Sequence, residues 1–299
     1  MARVLVTGIG GFTGRYMAAA LSARGHVVIG VGRDAGAGAT ADLAECHELD
    51  LEDLVATRAV LGEARPDRVV HLAAVSFVAH DDIAAIYRSN LIASRNLLQA
   101  LAERHDTIER VLLASSANVY GNAREGILDE DCPALPANDY AVSKLAMEHL
   151  ARIYAPRVPS IVARPFNYTG VGQSPSFLIP KLVEHVRNGK HVLELGNLDV
   201  ARDFSDVRTM VDCYARLLDS PQAVGGIFNV CSGVPLSLRD VVGLVETLAG
   251  VRFEISVNPA LVRESEVRSL AGNRARLETM IGPVGMPPLE QTIRWMLDA

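Results

Sequence analysis

The chain lacks the features that mark a disulfide, metal or membrane protein. It has four cysteines (Cys46, Cys132, Cys213 and Cys231), widely scattered and with no CxxC pair. That pattern reads as thiols in a reducing compartment. The eight histidines show no HxxxH spacing, so no protein-bound metal is expected. No apolar run approaches the ~20 residues that a membrane span needs. The opening stretch, MARVLVTG, runs directly into a strand pattern and lacks a signal-peptide core, so a cytoplasmic location is expected. Low-complexity stretches and internal repeats are absent too. A net charge of −6 argues against nucleic-acid and anionic-membrane partners. It leaves room for a phosphorylated ligand, whose binding depends on local charge.

What the chain does have is apolar mass. At 49% hydrophobic and 21% charged, its 299 residues can bury a sizeable core, in about two domains or one large α/β unit. Short apolar runs at Val4–Thr7, Val27–Val31, Val69–Leu72, Val111–Ala114, Ser160–Ala163 and Ile227–Val230 alternate with helical periodicities. The clearest of these lie in residues 14–25, 82–103 and 140–154. Uniformly apolar strands separated by helices predict a doubly wound parallel sheet of Rossmann type, covered on both faces. Beyond about residue 165 the pattern turns rich in Gly, Pro and Asn, and the last fifty residues are irregular. The expected division is a dinucleotide-binding domain of residues 1–166 plus 207–249. A smaller, discontinuous substrate lobe of residues 167–206 plus 250–299 completes it.

Residues 4–15, VLVTGIGGFTGR, carry an apolar strand into Gly8, Gly11 and Gly14 and then into a helix. Glycines so placed permit a tight turn, close approach of backbone to a pyrophosphate, and close helix–strand packing. The helix N-terminus adds free N–H groups and a positive dipole end. After the second strand comes Gly32, where an acidic residue would bond the ribose hydroxyls of NAD, and then Arg33. A guanidinium suits a 2′-phosphate, so NADP(H) is favoured, with Arg15 as a second contributor. Asp34 keeps NAD(H) open.

Tyr140 and Lys144 stand four residues apart at the start of a helix pattern and so share one face. A nearby ammonium is expected to pull the phenol down from about 10 towards neutrality, making it a usable acid and base. Ser116 follows the strand at 111–114 and could hydrogen-bond the same carbonyl oxygen, although a local backbone-capping role is the alternative.

Taken together, these motifs resemble the extended short-chain dehydrogenase/reductase family over nearly the whole chain. The resemblance covers Thr7 to Gly14, Asp50–Leu51, His71–Ala74, Asn90, Ser116, Tyr140 and Lys144. It implies catalysis by Ser116, Tyr140 and Lys144. It also implies dinucleotide contacts from Gly8, Gly11, Phe12, Thr13, Gly14, Arg33, Asp50, Leu51, Leu72, Ala73, Ala74 and Asn90, besides Tyr140 and Lys144. Three further stretches look like the nucleotide-sugar branch, particularly the GDP-4-keto-6-deoxymannose reductases: Arg164–Asn167 running to Pro175, Arg202–Val207 and Phe228–Gly233. By that resemblance Asn167, Arg202 and Arg263 would contact the nucleotide diphosphate, as paired arginines can. Lys181, Gly196 and Asn197 would lie near the base, and Ser76 and Asn118 near the sugar. The chain departs from the branch at Tyr168, usually His, at Val171, usually Pro, and at Glu264, commonly Pro.

The related 4,6-dehydratases place an acidic residue at the position of Asn118, and the 3,5-epimerase/reductases a cysteine at that of Ala117. An amide cannot act as a base and a methyl group cannot shuttle a proton. The expected reaction is therefore NAD(P)H-dependent reduction of the C4 ketone of a nucleotide-linked 4-keto-6-deoxyhexose, GDP-linked or dTDP-linked. A nucleotide-sugar 4-epimerase with tightly bound NAD would use the same three residues, and a non-enzymatic nucleotide sensor would not need them. The helices at 82–103 and 140–154 carry apolar residues beyond one core-facing stripe. The resemblance implies that these two pair across a twofold axis, so a homodimer is expected, the alternative being that both faces pack within one subunit.

Overall fold

The computed structural model describes residues 1–34, 42–76, 82–122, 126–258 and 268–299. Seven strands form the main sheet: β1 (Arg3–Thr7), β2 (Val27–Gly32), β3 (Glu45–Glu48), β4 (Arg68–His71), β5 (Arg110–Ala114), β6 (Ser160–Pro165) and β7 (Ile227–Val230). All pair in parallel, in the order β7-β6-β5-β4-β1-β2-β3. β1 begins the sequence yet lies mid-sheet, because the chain winds outwards first on one side and then on the other. The switch point between β1 and β4 opens a crevice at the strands' carboxyl ends.

Alternation along each strand builds two cores. In β1, Val4 and Val6 join a cluster with Met17, Leu21, Met210 and Tyr214, while Leu5 faces the opposite cluster of Leu61, Leu97, Leu101 and Met147. β5 repeats this, with Leu112 on the first side and Val111 and Leu113 on the second. Each fully buried Val or Leu contributes about 1.5–3 kcal/mol. Both faces are thus closed to water, by helices Phe12–Ala23 and Val207–Asp219 on one and Leu54–Ala64, Ala93–Ala102 and Asp139–Tyr154 on the other.

β3 has no apolar run; its ECHE sequence makes a short, half-exposed edge strand that periodicity does not reveal. The smaller lobe has its own sheet, ordered Pro235–Ser237, Ala201–Asp206, Ser269–Gly272 and Gly126–Leu128, with Asn167–Thr169 on Ala201–Asp206. A third core lies under it. Val241, Val242 and Val245 of helix Leu238–Ala249, grouped on sequence with the dinucleotide-binding segments, pack there beside Ile179, Leu182 and Ile293. Leu277, from the terminal segment, packs instead in the first core. Among the described residues no helix is long and apolar enough to cross a membrane.

Candidate active site

A cleft of about 1070 Å³ runs along the carboxyl ends of the strands and under the lobe. Its floor is the glycine loop. Gly8 has φ +73°, and a Cβ there would lie 2.8 Å from the backbone nitrogen of Ala73. A Cβ on Gly14 would meet the carbonyl oxygen of Gly8 at 2.3 Å. The loop is therefore packed on its own backbone and on β4, as a close-approach anion site requires. Helix Phe12–Ala23 starts from Gly11 with no side-chain cap, so its first N–H groups point into the cleft mouth. These features fit a dinucleotide.

The remaining expected cofactor residues divide. Arg33, Asp50, Leu51, Leu72, Ala73 and Ala74 line the cleft together with Gly32 and Asp34. Arg15 is exposed and lies off the wall. Asn90 is also off it, at 0% exposure. Its Oδ1 accepts from the Val75 nitrogen at 2.8 Å, and its Nδ2 donates to the Val75 carbonyl and the Ser143 hydroxyl. Asn90 therefore braces the loop after β4 from behind. A buried chain continues from it. Ser94 donates to the Asn90 carbonyl and meets His71 Nε2 at 2.8 Å, while His71 Nδ1 meets Thr7 Oγ1 at 2.8 Å. Burial, with help from the Lys144 charge, drops His71 to about 3, so it is neutral.

Tyr140 and Lys144 open into the cleft from helix Asp139–Tyr154. Asn138 caps that helix, its Oδ1 accepting from the Ala141 nitrogen at 2.9 Å, and Tyr87 ties down Asp139 with a 2.8 Å bond. Tyr140 is thereby held in the first turn. Lys144 Nζ donates to the carbonyl of Ala114 at 2.8 Å, at the end of β5. Ser116 lies just beyond, where it serves the local capping role and also faces the cleft. It caps the turn Ala117–Tyr120, accepting from the Asn118 nitrogen at 3.1 Å.

The electrostatics differ from the simple expectation. Burial pushes Tyr140 up to about 12, against a lowering by its hydrogen bond with Ser116 and a further raising by Tyr168. Burial also brings Lys144 down to about 8, opposed by Glu148. Desolvation thus sets the direction of the shift on the phenol, and the expected lowering by Lys144 is not among its causes. The phenol remains protonated across the physiological range, so the site is set to give a proton.

On the lobe side, Asn167, Gly196, Asn197 and Arg202 line the cleft, as do Ser76 and Asn118 nearer the sheet. Asn167 Nδ2 donates to the Asp203 carbonyl at 3.2 Å. Lys181 is not on the wall; its ammonium donates to the Glu194 carbonyl at 2.7 Å. Arg263, and Glu264 beside it, lie outside the described residues. Periodicity and motif gave no sign of Tyr168 as a wall residue. Its ring stacks on Phe12 at 6.1 Å and its hydroxyl meets Thr13 Oγ1 at 2.8 Å, joining lobe to glycine loop. Its place where relatives carry His was the one available signal. Phe166, Phe204 and Leu238 are further unforeseen wall residues.

A family model described as "NAD dependent epimerase/dehydratase family" matches residues 4–231. The chain belongs to this family. It is an oxidoreductase that works with a nicotinamide dinucleotide. It is 36% identical to GDP-6-deoxy-D-mannose reductase of Pseudomonas aeruginosa, covering 99% of this chain and 96% of that one. Among solved structures, one of a candidate epimerase from Burkholderia cenocepacia is 46% identical with TM-score 0.91, covering 99% and 97%. RMD from Pseudomonas aeruginosa, solved with NADPH, is 34% identical with TM-score 0.84, covering 100% and 97%.

Proposed function

We propose that the protein reduces the C4 ketone of a nucleotide-linked 4-keto-6-deoxyhexose, with a GDP-sugar favoured over a dTDP-sugar and NADPH over NADH. One observation carries this reading. Asn118 lines the cleft beside Ser116, and the acidic wall residues, Asp34, Asp50 and Glu52, follow β2 and β3 on the far side of β1. Among the described wall residues, no carboxylate stands near Tyr140 to remove a carbon-bound proton, as dehydration would require. Similarity to a GDP-6-deoxy-D-mannose reductase and to a structure holding NADPH supports the substrate and cofactor choice.

When bound, the dinucleotide supplies or accepts the hydride. Tyr140 gives its phenolic proton to the carbonyl oxygen as hydride reaches the carbon, so the alkoxide is never released as a free charge. Ser116 donates a hydrogen bond to that oxygen, and the Lys144 ammonium favours the negative charge left on the phenol. Asn167 and Arg202 reach the diphosphate from the lobe side. Arg33, exposed at the cleft rim, meets a 2′-phosphate.

The second reading, a 4-epimerase that keeps its NAD through turnover, draws on the 46% identity to the candidate epimerase. Consumption of NADPH and NADH, followed at 340 nm with GDP- and dTDP-4-keto-6-deoxyhexoses, separates the two. Stoichiometric oxidation supports the reductase; no oxidation of added cofactor, with interconversion of a nucleotide-linked 4-hydroxyhexose and its C4 epimer without added dinucleotide, supports the epimerase.

We further propose a homodimer. Ile83, Ile92, Val142 and Ile153 are exposed along or beside the two helical segments expected to pair. Light scattering giving one subunit's mass at micromolar concentration would refute it.

A further inference from the structure

Behind the catalytic residues lies an ion pair that the proposed chemistry does not use. Glu148 and Arg164 have side chains only 2% and 4% exposed. Arg164, on β6, holds the carboxylate with two bonds, Nε to Oε1 at 2.9 Å and Nη2 to Oε2 at 2.7 Å. Glu148 Oε1 also accepts from the Ser115 hydroxyl at 2.6 Å. The guanidinium lies over the ring of Tyr120, 4.9 Å from its centroid, and Tyr120 donates to Asn229 on β7 at 2.7 Å.

Glu148 stands four residues after Lys144 and so shares its helix face. The helix therefore grips the end of β5 twice. Lys144 donates to the Ala114 carbonyl, and the next residue, Ser115, donates to Glu148. Ser116 comes directly after this double tie. Among the described residues, the surroundings of the Lys144 ammonium leave Glu148 as its effective counter-charge. β4 offers His71, which is neutral, and β5 offers a carbonyl and hydroxyls. The helix itself offers Tyr140, a neutral phenol, and Glu148, while the Arg164 charge on β6 is paired with Glu148.

A buried ion pair is a costly way to hold a fold together. Apolar side chains of similar volume often serve as well or better. The presence of this pair, with one Arg164 nitrogen buried and lacking a hydrogen-bond partner, points to another use. We propose that Glu148, clamped by Arg164, is a positioning residue: it fixes the strand end carrying Ser116 against the catalytic helix and supplies the counter-charge to Lys144. This rests on the assignment of Ser116, Tyr140 and Lys144 as the reacting groups.

The chain has only three lysines, Lys144, Lys181 and Lys190, so its ε-carbon NMR signals can be titrated individually. In the wild type the Lys144 signal should turn over near pH 8. In Glu148→Gln the midpoint should fall by about one pH unit or more. The double variant Glu148→Met/Arg164→Met, which removes the Arg164 charge as well, should show a smaller fall in the same direction while keeping the melting temperature. It carries the measurement if the single variant does not fold. Ser115→Ala removes the tie and keeps the charge, so its Lys144 midpoint should stay while kcat drops about tenfold or more. An unmoved Lys144 midpoint in a folded Glu148 variant, or wild-type kcat in Ser115→Ala, overturns the proposal. The titration needs no substrate. If the wild type turns over no sugar nucleotide but its Lys144 shifts as stated, the reaction assignment falls and the counter-charge role stands.

Discussion

The Lys144 ammonium and the Ala114 carbonyl are joined by a 2.8 Å hydrogen bond that pins the helix Asp139–Tyr154 to the end of β5. Because this lysine is buried and brought down to about 8, it loses its charge at moderately alkaline pH. In the proposed reduction, Lys144 needs that charge. The pH profile of kcat/KM for ketone reduction should therefore show an alkaline limb near pH 8, with Tyr140, up at about 12, still protonated. A limb lying above pH 10 would contradict this arrangement.

Tyr140→Phe removes the proton donor while preserving the ring and its packing. Turnover should fall by about 10²–10⁴-fold, with dinucleotide affinity by calorimetry close to that of the wild type. Near-normal kcat would remove Tyr140 from the acid role.

Arg33→Ala should weaken NADPH much more than NADH, because only the former carries the 2′-phosphate. Equal losses for the two cofactors would locate the phosphate contact elsewhere.

The glycine loop leaves no room for a side chain at Gly8 or Gly14. Gly14→Ala would place a methyl group against the Gly8 carbonyl at 2.3 Å, so it should cost about 1–3 kcal/mol and weaken the dinucleotide. Gly243→Ala is the contrasting case, in the helix Leu238–Ala249 with nothing within 4 Å of the new Cβ. It should be neutral or stabilise by about 0.5–1 kcal/mol. Denaturant midpoints of the two variants check both.

His71 is neutral in the fold down to about pH 3, against 6.5 in an unfolded chain. Its folded value is the lower one, so between those limits the unfolded state binds the extra proton. Stability from this group is full above pH 6.5 and is lost as pH falls towards 3. His71→Asn should therefore flatten the stability–pH slope in this window by up to about 1.4 kcal/mol per pH unit. An unchanged slope would mean that His71 is not held neutral.

The parallel sheet, the glycine loop and the Tyr140–Lys144 face were legible because each depends on local spacing: an apolar run, a strand–glycine–helix succession, a separation of four. What lay beyond reading depends on distant segments meeting. Tyr168 reaches the glycine loop across 155 positions, and no window of sequence contains both. The rise of Tyr140 follows from burial depth, which a helix face does not specify. β3 escaped because an edge strand need not be apolar. Asn90 was legible as important, but its position on a helix does not tell whether it points into the cleft or, as here, behind its wall.

The order in which the chain leaves the ribosome bears on when the site can exist. Tyr120 donates to Asn229 on β7, and the Asn229 nitrogen donates to Glu130 at 2.7 Å. Gly126–Leu128 likewise pairs with Ser269–Gly272. These particular partners of the segments just after Ser116 are made only about a hundred or more residues later. A nascent chain that already holds Ser116, Tyr140 and Lys144 still lacks the far ends of these bonds. These ties behind the proposed site therefore form only late in synthesis, and truncation after residue 226 should leave them unmade.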